Sequence, residues 1–379
     1  MFPEGVDHDP TRRRPLHRRD LFRLRARAEA MPAAPTSAAQ AAGSGGSHAI
    51  INASRPGMGS FFEVRLGASV PGAVDLATRA LDRIDELEEQ LTVYHDDSEV
   101  SRLNARAHRG PVEVEDGLFR LLEQAVAIGR LTRGAYDVAA GALSLAWGFT
   151  RGPRRVPDAE TLQDARERTG SAHLILDPES RTVRFARPGL VINLGSIGKG
   201  YAIDRAADVI RGHWWPTTAL IHGGRSSLYA LGSPPDDFGG RWAVALRDPA
   251  DPERSLGTFH LRNRGMGTSG AAFQRFEANG REYGHIIDPR TGEPPDDGPA
   301  SVTVLAPTAA EADALSTAFY LLGPAASATI LAGRPDLGAV FVTRPGPDAP
   351  SRVLAIGLTD ADFTPHPKRS TPRGRSAPY

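Results

Sequence analysis

Asp313 and Thr317, one helical turn apart in "ADALST" (Ala312–Thr317), form the pair of this chain best suited to a hard cation. An i, i+4 spacing sets both oxygens on one face of a helix. Magnesium favours such oxygens, completing its shell with carbonyls, waters and substrate phosphates. The purely structural alternative gives Asp313 to the helix dipole and lets Thr317 bond back to its own helix. A second group is "NLGSIGKGYAID" (Asn193–Asp204), where the apolar strand "GLVI" (Gly189–Ile192) gives way to a helix. Glycines at such a junction offer backbone amides to an anion. The order G-x-x-G-x-G is not the dinucleotide fingerprint, and Asn193 and Gly200 stand where a P-loop needs a glycine and a hydroxyl. A tight turn with a solvated Lys199 is the alternative.

Two further groups carry polar chemistry. "HGGRSS" (His222–Ser227) is a double glycine leaving a buried strand, and "GTSG" (Gly267–Gly270) reads as a tight polar turn. After the latter comes His285, in "HIIDPRTGEP", ahead of Asp288 and a Pro-Arg-Thr-Gly turn. A histidine titrates near neutrality and suits proton transfer, although a histidine ahead of a strand end is more often a hydrogen-bonded structural group. Asp137 in "GAYDVAAGALSLAWGF" serves as a helix-capping turn residue or as a ligand contact, and Tyr94 in "LTVYHDDSEVSRLN" as interface packing or as a ligand contact.

The elements that must position these residues follow from periodicity. "GSFFEVRLGA" alternates as a strand, and "AVDLATRALDRIDELEEQLTVY" repeats Leu76, Ala80, Leu81, Ile84, Leu87 and Leu91 at helical spacing. "DGLFRLLEQAVAIGRLTRGAYD" predicts a helix capped by Asp116, and "AHLILD" with "TVRFARPGLVINLG" predicts paired strands. "KGYAIDRAADVIRGHW" is helical. Successive strands follow in "ALIHGG", "SLYALG", "RWAVALRD", "LGTFHLRNRGMGTSG" and "ASVTVLAP", then the helix "AAEADALSTAFYLLG" and a last pair, "GAVFVT" and "SRVLAIG". Strands in meanders outnumber helices, so the expected class is α+β with helices covering an antiparallel sheet.

Composition narrows the function. The 379 residues balance 45 Lys+Arg against 45 Asp+Glu, which gives no global electrostatic support for nucleic-acid or anionic-membrane binding. Cysteine is absent, so disulfides, thiolate nucleophiles and thiolate metal sites are excluded. No run of about 18 apolar residues occurs, and no membrane span is expected. Residues 1–47 read as a disordered basic leader with a Gly/Ser linker; Arg18–Arg19 resemble a degenerate twin-arginine export signal, but arginines interrupt the apolar run such a signal needs. The folded body is expected over residues 48–362, with a disordered tail over 363–379.

In this order the motifs "YHDDSEVSRLN", "GAYDVAAGALSLAWGF", "NLGSIGKGYAID", "GTSG", "HIIDPRTGEP" and "ADALSTAFYLLG" resemble those of the FAD:protein FMN transferase (ApbE-like) family, over nearly the whole body from Met58. The resemblance implies a T-fold-like α+β architecture that binds FAD and magnesium. It also implies transfer of FMN from FAD to a threonine or serine hydroxyl of an acceptor protein bearing a D-x-x-[ST]-G-A-T-like motif, with release of AMP. By similarity the magnesium ligands are Asp313, Thr317 and backbone oxygens of Ser196 and Ser316. The FAD contacts are Met58, Tyr94, Ala135, Tyr136, Asp137, Asn193, Lys199 and Ile287, and His285 is the candidate proton acceptor. The chain departs from the family pattern at Asn193 (usually aspartate), Arg225 (usually the aspartate of "GGD"), Ala139 and Ala271. Losing two carboxylates lowers the charge of the site, so two other readings stand beside transfer: a flavin binder, and an FAD pyrophosphatase yielding FMN and AMP. "TSGAA" (Thr268–Ala272) lacks the aspartate and final threonine of an acceptor motif, so self-modification is not expected.

Overall fold

A two-residue hairpin opens the described chain. β1 (Ile50–Gly57) and β2 (Ser60–Gly67) join through Met58 and Gly59, whose φ of 46° and 71° match the twist that a tight hairpin requires. The computed structural model describes residues 49–367, apart from 236, 238, 271–274, 345, 347 and 348. The leader expected over residues 1–47, the departure at Ala271 and the tail from residue 368 onward therefore lie outside the described residues.

α1 (Ala73–Leu91) buries Leu76, Ala80, Leu81, Ile84, Leu87 and Leu91 as one stripe against β1 and β2. Each fully buried leucine or isoleucine contributes about 1.5–3 kcal/mol. α2 (Glu99–Arg106) starts at Ser98, whose hydroxyl accepts from the Ser101 amide. After β3 (Val112–Glu113) comes α3 (Asp116–Leu131), whose cap is Glu115 and not Asp116: the Glu115 carboxylate accepts from the Leu118 amide. α4 (Gly141–Ala146) and α5 (Ala159–Glu167) lead to β4 (Leu174–Asp177) and β5 (Thr182–Phe185), which complete a small sheet in the order β3-β5-β4. The strand expected to continue to Gly195 stops at Phe185, because Pro188 and a left-handed Gly189 (φ 76°) break it. Of "GLVI", only Val191 makes a bridge, parallel to Ala140.

The remaining elements build the main sheet and its two covers. They are α6 (Gly198–Arg211), β6 (Ala219–Gly223), β7 (Ser227–Leu231), β8 (Trp242–Asp248), β9 (Asp251–Leu261) and β10 (Arg264–Gly270), then the hairpin β11 (Arg275–Ala278) and β12 (Arg281–Gly284). β13 (Ser301–Ala306), α7 (Ala309–Ala332), β14 (Gly338–Thr343), β15 (Arg352–Ile356) and β16 (Phe363–Pro365) follow. Eight strands run in the order β1-β2-β6-β7-β10-β13-β14-β15, every neighbouring pair antiparallel. This is the expected α+β class, an antiparallel sheet under helices.

Side-chain alternation splits the sheet between two cores. Ile221, Tyr229, Val302 and Val304 join the helical side with α1, α6 and α7. Leu220, Leu228, Met266 and Leu305 point the other way, onto β8, β9 and β16. Phe363 is buried there and its ring lies 4.8 Å from that of Phe259. The folded body thus continues past Asp362, correcting the boundary expected from sequence: a strand of three residues between Asp and Pro-rich sequence gives no periodic signal.

"GTSG" is also not a turn. Gly267–Gly270 are the second half of β10, paired throughout with β13 and at Gly267 also with β7. Its glycines serve close packing: a Cβ on Gly267 would stand 2.4 Å from the Ala312 carbonyl carbon. Bare backbone lets α7 lie directly on the strand. α7 is long and apolar enough to cross a membrane on composition alone, yet it packs on β10, β13 and α6, and at Gly323 the backbone leaves helical geometry just ahead of Pro324.

Candidate functional site

The centre of the site lies where α6, α7, β7 and β10 meet. Two contacts set the helices. The Asp204 carboxylate on α6 accepts from the amides of Ala309 and Ala310 at 2.8 and 2.9 Å, capping the first turn of α7. Gly200 makes the approach possible, since a Cβ there would stand 2.2 Å from the Ala309 carbonyl oxygen. With the helices locked in this register, Asp313 points back at α6: its Oδ2 accepts from the Gly200 amide at 2.8 Å, and its Oδ1 accepts from the Ser227 hydroxyl at 2.6 Å.

Asp313 is 6% exposed, and burial raises its pKa against the opposing pull of the Lys199 charge and the Ser227 and Gly200 donors. Lys199 itself donates to the Ser226 hydroxyl. One turn along α7, the Ser269 hydroxyl lies 2.8 Å from that of Ser316 and 3.1 Å from that of Thr317. Ser316 and Thr317 also donate to the Asp313 carbonyl at 2.8 and 3.4 Å, the back-bonding expected of hydroxyls inside a helix. The Asp313 carboxylate thus meets the Ser227 hydroxyl while its carbonyl meets the Ser316 and Thr317 hydroxyls, with no cluster of three or more His, Cys, Asp or Glu among the described residues.

The turn before α6 is held from the other side. The Asn193 amide donates to Val138 O at 2.9 Å, its Oδ1 accepts from the Gly195 amide at 2.9 Å, and its Nδ2 donates to the Thr150 hydroxyl at 3.3 Å. An aspartate in this place would have to accept from the Thr150 hydroxyl instead. Asn104 clamps the preceding residue: its amide group exchanges two hydrogen bonds with the Ile192 backbone, at 2.8 and 2.9 Å. Ala135 and Tyr136 are buried beneath this turn, with the Tyr136 hydroxyl facing Ser196 and within the field of Asp313. Asp137 holds a turn and a helix start: its carboxylate accepts at 2.8 Å from the Ala139 amide and at 2.8 Å from the amide of Ser171, the first residue of the 3-10 turn Ser171–His173.

The other sequence candidates stand on surrounding elements. Met58 is at the β1–β2 hairpin tip, half-buried against the main core. Tyr94, in the α1–α2 connection, is 62% exposed and so is not packing an interface within the fold. Ile287 packs with Ala142, Leu143 and Ala165. His285 directly follows β12 and meets Phe149 edge-on at 6.4 Å; the neighbouring Thr150 is the residue that Asn193 holds. Behind them Trp147, Phe276 and Tyr283 form one aromatic group, and the Trp147 indole donates to Gly292 O in the Pro-Arg-Thr-Gly turn at 2.9 Å. Arg225 is exposed in the β6–β7 turn.

Sequence reasoning selected "HGGRSS" and "GTSG" without giving roles to Ser226, Ser227 or Ser269, and it quoted Asn104 only as the last residue of "YHDDSEVSRLN", with no role. Hydroxyls in these short polar runs were the available signal; for Asn104 it was membership of that motif, because its partner is backbone 88 residues away.

Fold and site define an α+β protein in which the buried Asp313 carboxylate lies among hydroxyls, an all-oxygen set of the kind a hard cation takes. The chain belongs to the ApbE family, whose model matches residues 58–341. It is 32% identical over 270 residues to the FAD:protein FMN transferase of Klebsiella pneumoniae, covering 71% of this chain and 82% of that one. The FAD:protein FMN transferase of Treponema pallidum is 32% identical over 319 residues, covering 80% and 86%. Among solved structures, the ApbE protein of Thermotoga maritima matches with a TM-score of 0.73 and 26% identity over 80% of this chain and 96% of that one.

Proposed function

We propose that this chain is a magnesium-dependent FAD:protein FMN transferase. The observation that carries the reading is the Asp313 carboxylate, buried and fixed by Gly200 and Ser227 beside the Ser269, Ser316 and Thr317 hydroxyls. The donor set fits magnesium: it is all oxygen, it centres on one carboxylate, and it leaves room in the shell for substrate phosphates. Asp313 and Thr317, with backbone oxygens of Ser196 and Ser316, would hold the ion, and once bound it would supply Lewis-acid stabilisation of charge on the diphosphate.

The chain's own residues would do the rest. The amides of the turn ahead of α6 and Lys199 would receive the anionic phosphates. Met58, Tyr94, Ala135, Tyr136, Asp137, Asn193 and Ile287 would line the path of the flavin nucleotide. His285 would accept the proton of the acceptor's threonine or serine hydroxyl. That oxygen bonds to the FMN-side phosphorus while the bond from phosphorus to the bridging oxygen breaks, and AMP leaves with that oxygen.

Incubation with FAD, magnesium and a D-x-x-T-G-A-T peptide tests the proposal. A peptide gaining the mass of FMN, with AMP released, is the expected result. Free FMN with unmodified peptide would make the chain a pyrophosphatase, and intact bound FAD alone would make it a binder.

A further inference from the structure

Four polar side chains form a continuous line across the site. The Lys199 ammonium on α6 donates to the Ser226 hydroxyl, Ser226 Oγ lies 3.3 Å from Ser227 Oγ, and the Ser227 hydroxyl donates to Asp313 Oδ1 at 2.6 Å. The ends of the line settle the direction of every proton in it. An ammonium only donates, so Ser226 accepts from Lys199. Ser227 commits its one proton to the carboxylate, so between the two hydroxyls Ser226 is the donor. Neither serine then has a proton left to offer a ligand. Lys199 does: two of its three ammonium protons have no partner among the described residues.

The serines are held at the backbone. Ser227 opens β7 and pairs with Gly223 on β6 and Gly267 on β10, and the Ser226 carbonyl accepts from the Thr268 amide at 2.7 Å. A lysine ammonium, by contrast, hangs on a flexible four-carbon stem and keeps one place only where a partner supplies it. Lys199 is half-buried in the first turn of α6, and Ser226 is the partner it meets there. We propose that Ser226 is a positioning residue: it holds the Lys199 ammonium with two protons free for the phosphate oxygens of a diphosphate, on the same line of hydrogen bonds that holds the Asp313 carboxylate. This inference rests on the functional reading above and adds to it the residue that orders Lys199. Ser226 would not touch the nucleotide; it would remove the ordering cost that a loose lysine side chain brings to binding.

The test compares the unaltered chain with Ser226→Ala, Lys199→Met and the double variant, with FAD affinity measured by flavin fluorescence in the presence of magnesium. The cost of ordering one long side chain predicts about three- to tenfold weaker FAD binding in Ser226→Ala. Lys199→Met should weaken binding further, because it removes the charge as well as its placement. In the Lys199→Met background Ser226→Ala should add nothing, since no ammonium is left to place. A serine that served only the fold would weaken binding equally in both backgrounds. Unchanged affinity in Ser226→Ala, or equal losses from that substitution with and without Lys199, would overturn the inference and leave the functional reading standing. Failure of the unaltered chain to bind FAD would overturn the functional reading and this inference with it.

Discussion

The Asp313 carboxylate and the Gly200 amide, 113 residues apart in sequence, meet at 2.8 Å and join two helices at the centre of the site. The contact does not make the carboxylate comfortable, because burial still raises its pKa over the pull of Lys199, Ser227 and Gly200. A group kept in a destabilising position is retained for function, and its removal should uncouple stability from activity. Asp313→Asn is therefore expected to leave the thermal midpoint unchanged or higher while FMN transfer falls on the order of a hundredfold or more, the loss of several kcal/mol of transition-state stabilisation. Differential scanning fluorimetry and the peptide assay check both halves. A variant with full activity would remove Asp313 from the site.

Gly267 sets the height of α7 above the sheet. A Cβ at this position would stand 2.4 Å from the Ala312 carbonyl carbon and 2.5 Å from the Asp313 amide nitrogen, and neither backbone atom can move alone. Gly267→Ala is expected to destabilise the fold by about 1–3 kcal/mol. Transfer activity should fall further than the loss of folded protein explains, since the shifted helix carries Asp313 and Thr317. Urea unfolding gives the first quantity, and activity per folded molecule gives the second.

These two residues also show what the sequence could and could not reveal. That Asp313 and Thr317 share one turn of a helix was legible from their spacing, and α1 was legible because its leucines repeat at helical spacing. "GTSG" was misread as a turn because small polar residues usually mark turns, whereas here the glycines are selected by a helix passing over a strand. Asn104 and Ser227 were invisible as partners: each acts on a group that only the tertiary fold brings near, Ile192 and Asp313 respectively. β16 was missed because three residues carry too little pattern, and its burial depends on Phe259 across a sheet. The helices and main strands thus follow from local periodicity, while the contacts that give the site its shape are set by chain segments far apart.

Asp204 should give the protein a measurable pH dependence. Burial lifts its carboxyl to about 7, although the Ala309 and Ala310 amides pull the other way. A folded-state pKa above the unfolded value means stability is greatest below the ordinary aspartate range and declines as pH rises through about 7. The decline, on the order of a few kcal/mol at most, should be traceable to this residue. Asp204→Asn is expected to be less stable than the parent at pH 5, because its amide group faces one of two amide donors. Its stability should then vary less between pH 5 and 8. Urea midpoints across that range decide it; an unchanged slope in the variant would place the titrating group elsewhere.

His285 separates chemistry from binding. It directly follows β12, against the edge of Phe149, and Thr150 beside that ring is tied to Asn193 in the turn ahead of α6. A proton acceptor in that position acts only after the acceptor hydroxyl has arrived, so FAD should bind without it. His285→Gln keeps a polar side chain of similar reach but removes the capacity to take up a proton near neutrality. The variant is expected to hold FAD within about twofold of the parent, while the rate of FMN transfer falls by about 100- to 10,000-fold, the range for loss of a general base. Single-turnover transfer to the peptide, measured by mass, and FAD titration by fluorescence separate the two effects. Equal loss of affinity and rate would instead make His285 part of the nucleotide-binding wall, and the proton would then have to leave by another group.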